Sequence, residues 1–319
     1  MEKGPRVLAS RSRARRRAKR SSPAIQNALT VPATTTLLHG AQMPIIGLGT
    51  WPIADAEAPQ VVAQAIELGY RLIDTAYAYG NEEGVGRGVR ASDVPREELF
   101  VTTKLNGEWH GYAAVQEAFR LASQKLDLDY IDLFLIHWPL PGRGRYVDAW
   151  RGLIKLLEDG FVRAIGTSNF KPSHIERLIE ETGLAPDVNQ VQLNPMLTRA
   201  EIRACHARHG IRTQSWSPLG LGVQRERAHT DTGLAAERNI LKDPGVLEIA
   251  QRTGKTPAQV ILRWHLELEV TPLPKTTDPK RMAENIDVFD FSLDLADVAT
   301  ISALDHGDVA AVDSDRVGH

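Results

Sequence analysis

The 319-residue chain contains a single cysteine, Cys205. One thiol excludes an internal disulfide framework and a cysteine-rich metal centre. It makes a reducing compartment the simpler setting, and a cytoplasmic protein is expected. No apolar run approaches the ~20 residues that a membrane helix needs. The ten histidines show no His-Glu-x-x-His spacing or comparable ligand pattern, so no metal is expected. Also missing is the Gly-x-Gly-x-x-Gly turn that an open dinucleotide-binding sheet carries after an early strand. The nearest match, Gly84, Gly86 and Gly88, has the wrong spacing and falls inside a helical pattern.

What is present suits one sizeable enzyme. Hydrophobic residues make up 42% of the chain and charged residues 24%, an ordinary globular balance. The charge is uneven. Residues 1–20 hold nine Lys/Arg and one Glu, whereas the whole chain has a net charge of −2. This block lacks the apolar core of a secretory signal and has no hydrophobic period, so residues 1–33 are read as a disordered basic tail. An anionic-surface or nucleic-acid arm and a targeting segment stay open as lesser readings; no nucleic-acid partner is expected. Residues 34–319 then form one domain.

Within that domain the hydrophobic period alternates. Two short runs around His39-Gly40-Ala41-Gln42 suggest a hairpin. Eight strand-like runs follow, at 46–51, 71–75, 99–104, 131–137, 163–168, 188–194, 212–217 and 270–275. Helical spacing occupies 59–68, 81–90, 112–126, 146–158, 172–181, 199–208 and 257–266. Strands alternating with helices imply parallel βαβ units. Eight units in one domain imply a closed (β/α)8 TIM barrel, here with an N-terminal β-hairpin cap and a C-terminal extra helix.

In such a barrel, chemistry sits at the C-terminal strand ends. Asp74, Tyr79, Lys104 and His137 fall at or just past the ends of runs two, three and four. A free tyrosine has a pKa near 10 and is a poor acid at neutral pH. A nearby ammonium is expected to lower it, and a carboxylate keeps that ammonium charged. An imidazole beside the phenol can orient a carbonyl. The set suits protonation of a carbonyl oxygen while hydride reaches the carbon. It supplies no hydride, so a nicotinamide cofactor is required.

The chain resembles the aldo-keto reductase superfamily, and among its bacterial members those similar to the 2,5-diketo-D-gluconic acid reductases. The stretch 69–86 fits the first family signature. Gly166-Thr167-Ser168-Asn169-Phe170 fits the second, except that Thr167 stands where an aliphatic residue is usual. Leu273-Pro274-Lys275-Thr276 fits the third, with Arg281, Glu284 and Asn285 following at the family's spacing. The resemblance implies Tyr79 as proton donor, tuned by Lys104 and Asp74, with His137 orienting the substrate. It implies that Ser168, Asn169 and Gln190 bond the nicotinamide carboxamide, that Trp216 stacks on its ring, and that Leu219 lies along the cofactor. Lys275, Thr276 and Arg281 would hold a 2′-phosphate, and Glu284 and Asn285 would meet the adenine. Two cations at one hydroxyl position favour NADPH over NADH, a preference tempered by Asp278 in the same loop.

Trp51, Trp109 and Trp138 are expected at the substrate pocket, with Asn106 and His110 in the pocket or in solvent. Arg225, Arg227 and His229, in the long segment after run seven, are candidate phosphate contacts. The short polar stretch after Asp305 is expected to leave the pocket open and the substrate range broad. The expected function is NADPH-dependent reduction of small aldehydes, ketones or keto-sugars by a monomer. The alternative is a cofactor-binding regulatory protein on the same barrel.

Overall fold

The structure, a computed structural model, describes residues 33–220, 239–307 and 311–319. The basic segment and the stretch with Arg225, Arg227 and His229 lie outside the described residues. Strands β1 (Thr34–Thr36) and β2 (Gln42–Pro44) pair antiparallel as the expected hairpin. Eight parallel strands follow: β3 (Leu48–Gly49), β4 (Leu72–Asp74), β5 (Phe100–Leu105), β6 (Ile131–Ile136), β7 (Val162–Ser168), β8 (Val188–Gln192), β9 (Arg212–Trp216) and β10 (Val270–Leu273). Each pairs with its neighbour in chain order. The ring closes where the Gly47 and Gly49 amides donate to the carbonyls of Pro272 and Pro274, both at 3.1 Å. This is the expected (β/α)8 barrel.

The outer layer consists of α1 (Ala58–Glu67), α2 (Glu82–Arg90), α3 (Tyr112–Leu126), α4 (Tyr146–Glu158), α5 (Pro172–Thr182), α6 (Ala200–His209), α7 (Pro244–Thr253), α8 (Pro257–Glu267), α9 (Pro279–Ile286) and α10 (Leu295–Ser302). The seven helices read from spacing match within one residue at each end. Of the other three, α9 and α10 had no bounds beyond the expected extra C-terminal helix, and α7 was not read at all. Its first turn carries Pro244 and Gly245, which look like breakers. Proline at the first helical position loses no hydrogen bond, and Asp243 caps the turn by accepting from the Gly245 amide at 2.9 Å.

The core has two shells. Inside the ring, Leu72, Phe100, Leu133, Leu135, Ala164, Val188 and Leu273 pack on Leu37, Ala41 and Met43 of the hairpin, which plugs one end. Between ring and helices lies a larger apolar layer, including the fully buried Trp150 and Phe134. Buried carboxylates tie strands together near their starts. Asp132 accepts from the Val101 amide at 2.9 Å and pairs with Arg96 at 2.6 Å and Arg163 at 3.0 Å. Asp187 accepts from the Ile165 amide at 3.0 Å. The opposite ends of the strands are left to other polar groups.

Gly166 shows how tightly the ring is drawn. It pairs with Val188 across β7 and β8. A Cβ there would sit 2.4 Å from the Val188 carbonyl oxygen, which cannot move without breaking the register that sets Ser168 opposite Gln190. Gly166→Ala is therefore expected to destabilise the protein by at least about 1–3 kcal/mol through overpacking, read as a lowered urea midpoint. An unchanged midpoint would remove this account of the glycine.

Candidate active site

Asp74 is the last residue of β4, and Lys104 lies one strand away on β5. The Lys104 side chain has no exposed surface. Its ammonium donates to Asp74 Oδ1 at 2.7 Å, to the Thr75 carbonyl at 2.8 Å and to the Tyr79 hydroxyl at 3.3 Å. Tyr79 closes a 3-10 turn, residues 77–79, just beyond β4. His137 follows β6, and its ring lies 5.7 Å from that of Tyr79, edge to face. The four residues picked from sequence thus meet in one place.

Their electrostatics differ in one respect from expectation. Burial raises the Tyr79 phenol above its ordinary pKa, Lys104 pulls it down and Asp74 pushes it up; the net direction is up. The phenol keeps its proton at neutral pH rather than becoming easier to ionise. The sequence shows the neighbouring charge but not the depth of burial. For Lys104, burial lowers the pKa, but attraction to Asp74 and Tyr79 outweighs it and the net shift is upward. His137 is held well below the usual histidine value by burial, by Lys104 and by His319. The site therefore holds a charged amine, a protonated phenol and a neutral imidazole.

The polar rim continues around the ring. The Gln190 amide on β8 donates to Asp74 Oδ2 at 2.8 Å and to Gln214 Oε1 on β9 at 2.9 Å. Both its hydrogens are thereby used, leaving its oxygen as the group it can offer a ligand. Ser168 Oγ donates to the Gln190 carbonyl at 2.9 Å. Asn169 donates to the His137 carbonyl at 3.0 Å and accepts from Trp216 Nε1 at 2.9 Å, which fixes the half-buried indole. Leu219 follows in the next turn, half-buried. Thr167, unusual for the second signature, spends its hydroxyl on Asn189 Oδ1 at 3.0 Å.

Beyond β10, Lys275 is exposed and has no carboxylate within ion-pair distance among the described residues. Arg281 on α9 is 74% exposed, and its nearest carboxylate is Asp278 at 3.9 Å. Asp278 itself caps α9, accepting from the Lys280 amide at 2.9 Å. Thr276 Oγ1 accepts from the Asp278 amide at 3.1 Å. Glu284 accepts from Thr256 at 2.6 Å, and Asn285 is buried. Two barely engaged cations beside a hydroxyl fit a dianionic phosphate, so the residues present suit a phosphorylated dinucleotide.

The pocket candidates divide. Trp138 is buried and stacks near the His137 ring at 6.3 Å. Trp109 meets Tyr77 edge-on at 6.4 Å. Trp51, 57% exposed after β3, makes no ring contact among the described residues. Asn106 and His110 are buried rather than solvated, and both ring nitrogens of His110 lack a partner. Burial, Arg143 and Arg145 lower His110 to about 4.

Sequence spacing missed three participants: the Thr75 carbonyl, Gln214 and His319. Gln214, at the Gln190 level of the neighbouring strand, had a signal in its register. His319 had none. Its Nε2 lies 3.2 Å from His137 Nδ1, so the stretch expected to leave the rim open reaches the centre of the site.

The chain is similar over most of its length to known proteins. The Aldo/keto reductase family model matches residues 45–306. An aldo-keto reductase from Mycolicibacterium vanbaalenii is 46% identical over 281 residues, covering 88% of this chain and 95% of the relative. The methylglyoxal reductase DkgA of Escherichia coli is 42% identical over 287 residues, covering 90% and 98%. A crystal structure of a Gox0644 variant in complex with NADPH superposes with a TM-score of 0.81 at 39% identity, covering 91% of this chain and all of that one. A Bombyx mori aldo-keto reductase in complex with NADP gives 0.79 at 36% identity, covering 86% and 93%.

The Asp74–Lys104 pair gives a direct test of this geometry. Lys104→Met should leave the Asp74 carboxylate buried without its cation and cost about 3–5 kcal/mol of unfolding free energy. A loss under 1 kcal/mol in denaturant titration would mean that Asp74 is not buried as described.

Proposed function

The chain belongs to the aldo/keto reductase family, and from that premise we propose the roles its residues play in the family's chemistry. The protein is an NADP-dependent oxidoreductase that reduces small aldehydes, ketones or keto-sugars to alcohols. NADPH supplies the hydride when bound. Tyr79 gives its hydroxyl proton to the substrate oxygen. Lys104 stabilises the phenolate that results, and Asp74 holds the Lys104 ammonium charged. His137, neutral, donates a hydrogen bond to the same oxygen and orients the carbonyl. The observation that carries this reading is the 3.3 Å contact between a buried ammonium and the Tyr79 hydroxyl.

Ser168, Asn169 and Gln190 hold the carboxamide end of the cofactor, Trp216 and Leu219 flank it, and Glu284 and Asn285 meet the adenine. Lys275, Thr276 and Arg281 take the 2′-phosphate. Trp51, Trp109 and Trp138 line the substrate side. The similarity to DkgA makes methylglyoxal the first carbonyl to try. We further propose one working domain over residues 34–319, active as a cytoplasmic monomer without a nucleic-acid partner. No helix among the described residues is long and apolar enough to cross a membrane. A regulatory protein with little turnover is not favoured, because Lys104 bridges Asp74 and Tyr79 and the His137 ring packs against that of Tyr79.

Tyr79→Phe should keep NADPH binding and lose carbonyl reduction by a factor of about 10² or more; full turnover in that variant removes Tyr79 as donor. Lys275→Ala combined with Arg281→Ala should weaken NADPH much more than NADH in fluorescence titrations. Equal weakening of both cofactors would sink the phosphate assignment.

A further inference from the structure

Residues 311–319 run across the mouth of the barrel and end against His137. The Val312 amide donates to Gln192 Oε1 on β8 at 3.3 Å. Asp313 and Asp315 both pair with Lys171, at 2.6 and 2.5 Å, and Asp315 also meets His174 at 3.0 Å. Ser314 between them is buried. At the far end, the Gly107 amide donates to the His319 carbonyl at 3.0 Å. Gly318 lies so close to Trp138 and Leu140 that a Cβ would come within 2.9 and 2.7 Å of them. The segment is thus fixed at both ends, and the fixing delivers one side chain. His319 Nε2 lies 3.2 Å from His137 Nδ1, with the rings edge to face at 4.6 Å.

Two neutral imidazoles at that distance share one hydrogen, and the choice of donor matters. If His137 Nδ1–H donates, His137 Nε2 is a bare acceptor, and an acceptor cannot bond a carbonyl oxygen. If His319 Nε2–H donates, His137 is left as the Nε2–H form, which can. We propose that His319 is a positioning residue for carbonyl reduction: it donates to His137 Nδ1 and holds that ring as a hydrogen-bond donor toward the substrate oxygen. The inference rests on the role given to His137 above. It reaches a residue outside the span of 45–306 that the family model matches.

The experiment uses the full chain with His319→Gln, whose amide can place a donor near the same point, and His319→Phe, which keeps a ring and loses the donor. Both are compared for kcat and KM on methylglyoxal, for NADPH affinity by fluorescence, and for Tm. The expected result is a fall in kcat on the order of tenfold for Phe, with Gln within about threefold of the parent and with NADPH affinity and Tm unchanged in both. Equal kcat in the Gln and Phe variants overturns the proposal. So does a loss in Phe matched by a loss of Tm or NADPH affinity, which would make His319 merely structural. Tyr79→Phe, run beside them, tests the underlying reading separately. If it abolishes turnover while His319→Phe does not change it, the reductase assignment stands and the positioning role falls.

Discussion

A full positive charge sits inside this barrel, and much of the site is arranged to make that tolerable. Removing an ammonium from water costs several kcal/mol even after the surroundings relax. Lys104 meets the cost with three acceptors for three donors: Asp74, the Thr75 carbonyl and the Tyr79 hydroxyl. Asp74 then needs a partner for its second oxygen, and Gln190 supplies it from across the ring. Gln190 in turn engages Gln214, whose amide donates to the Met43 sulfur on the hairpin plug. One chain of contacts therefore links β5, β4, β8, β9 and the hairpin. A shift in register at any of these strands would strand a buried polar group, so the ammonium constrains the barrel as much as the barrel holds the ammonium.

This dependence explains what could be read from sequence and what could not. The seven helices were visible because each buries one face and so repeats its apolar residues at its own period, and the strands because most, buried on both faces, read as short apolar runs between them. Asp74, Lys104 and His137 were visible because each interrupts or ends an apolar run at the level where a barrel places its chemistry. Helix α7 was hidden by Pro244 and Gly245, whose meaning reverses according to whether they open or close a helix. The direction of the Tyr79 shift was hidden because proximity of charge can be inferred from spacing, while depth of burial cannot. His319 was hidden most completely. Nothing local predicts that a polar stretch after Asp305 crosses to β6, because the contacts that steer it, Lys171 with Asp313 and Asp315, are long-range ion pairs on exposed elements.

The same ammonium acts on two neighbours in different senses. Burial raises the Tyr79 phenol, and Lys104 works against that rise. Burial lowers the His137 imidazole, and Lys104 works with it. A tyrosine kept protonated but with its phenolate favoured by a cation is a usable acid. A histidine kept neutral offers one N–H and no extra charge, so it can orient a carbonyl without competing to protonate it. The division of labour between the two rings needs no separate device. It follows from placing one lysine where both can feel it and water cannot screen it.

That arrangement leaves one degree of freedom. A neutral imidazole has two tautomers, and being held neutral does not by itself select one of them. The choice falls to whatever meets Nδ1. Around that nitrogen the structure supplies a second imidazole, carried by a segment held at Lys171, His174 and Gly107. Strand ends fix where the His137 ring stands, and a partner at Nδ1 fixes which of its nitrogens carries the hydrogen. The barrel settles the first from its register. The second is met here from outside the eight repeated units, by His319 at 3.2 Å from Nδ1.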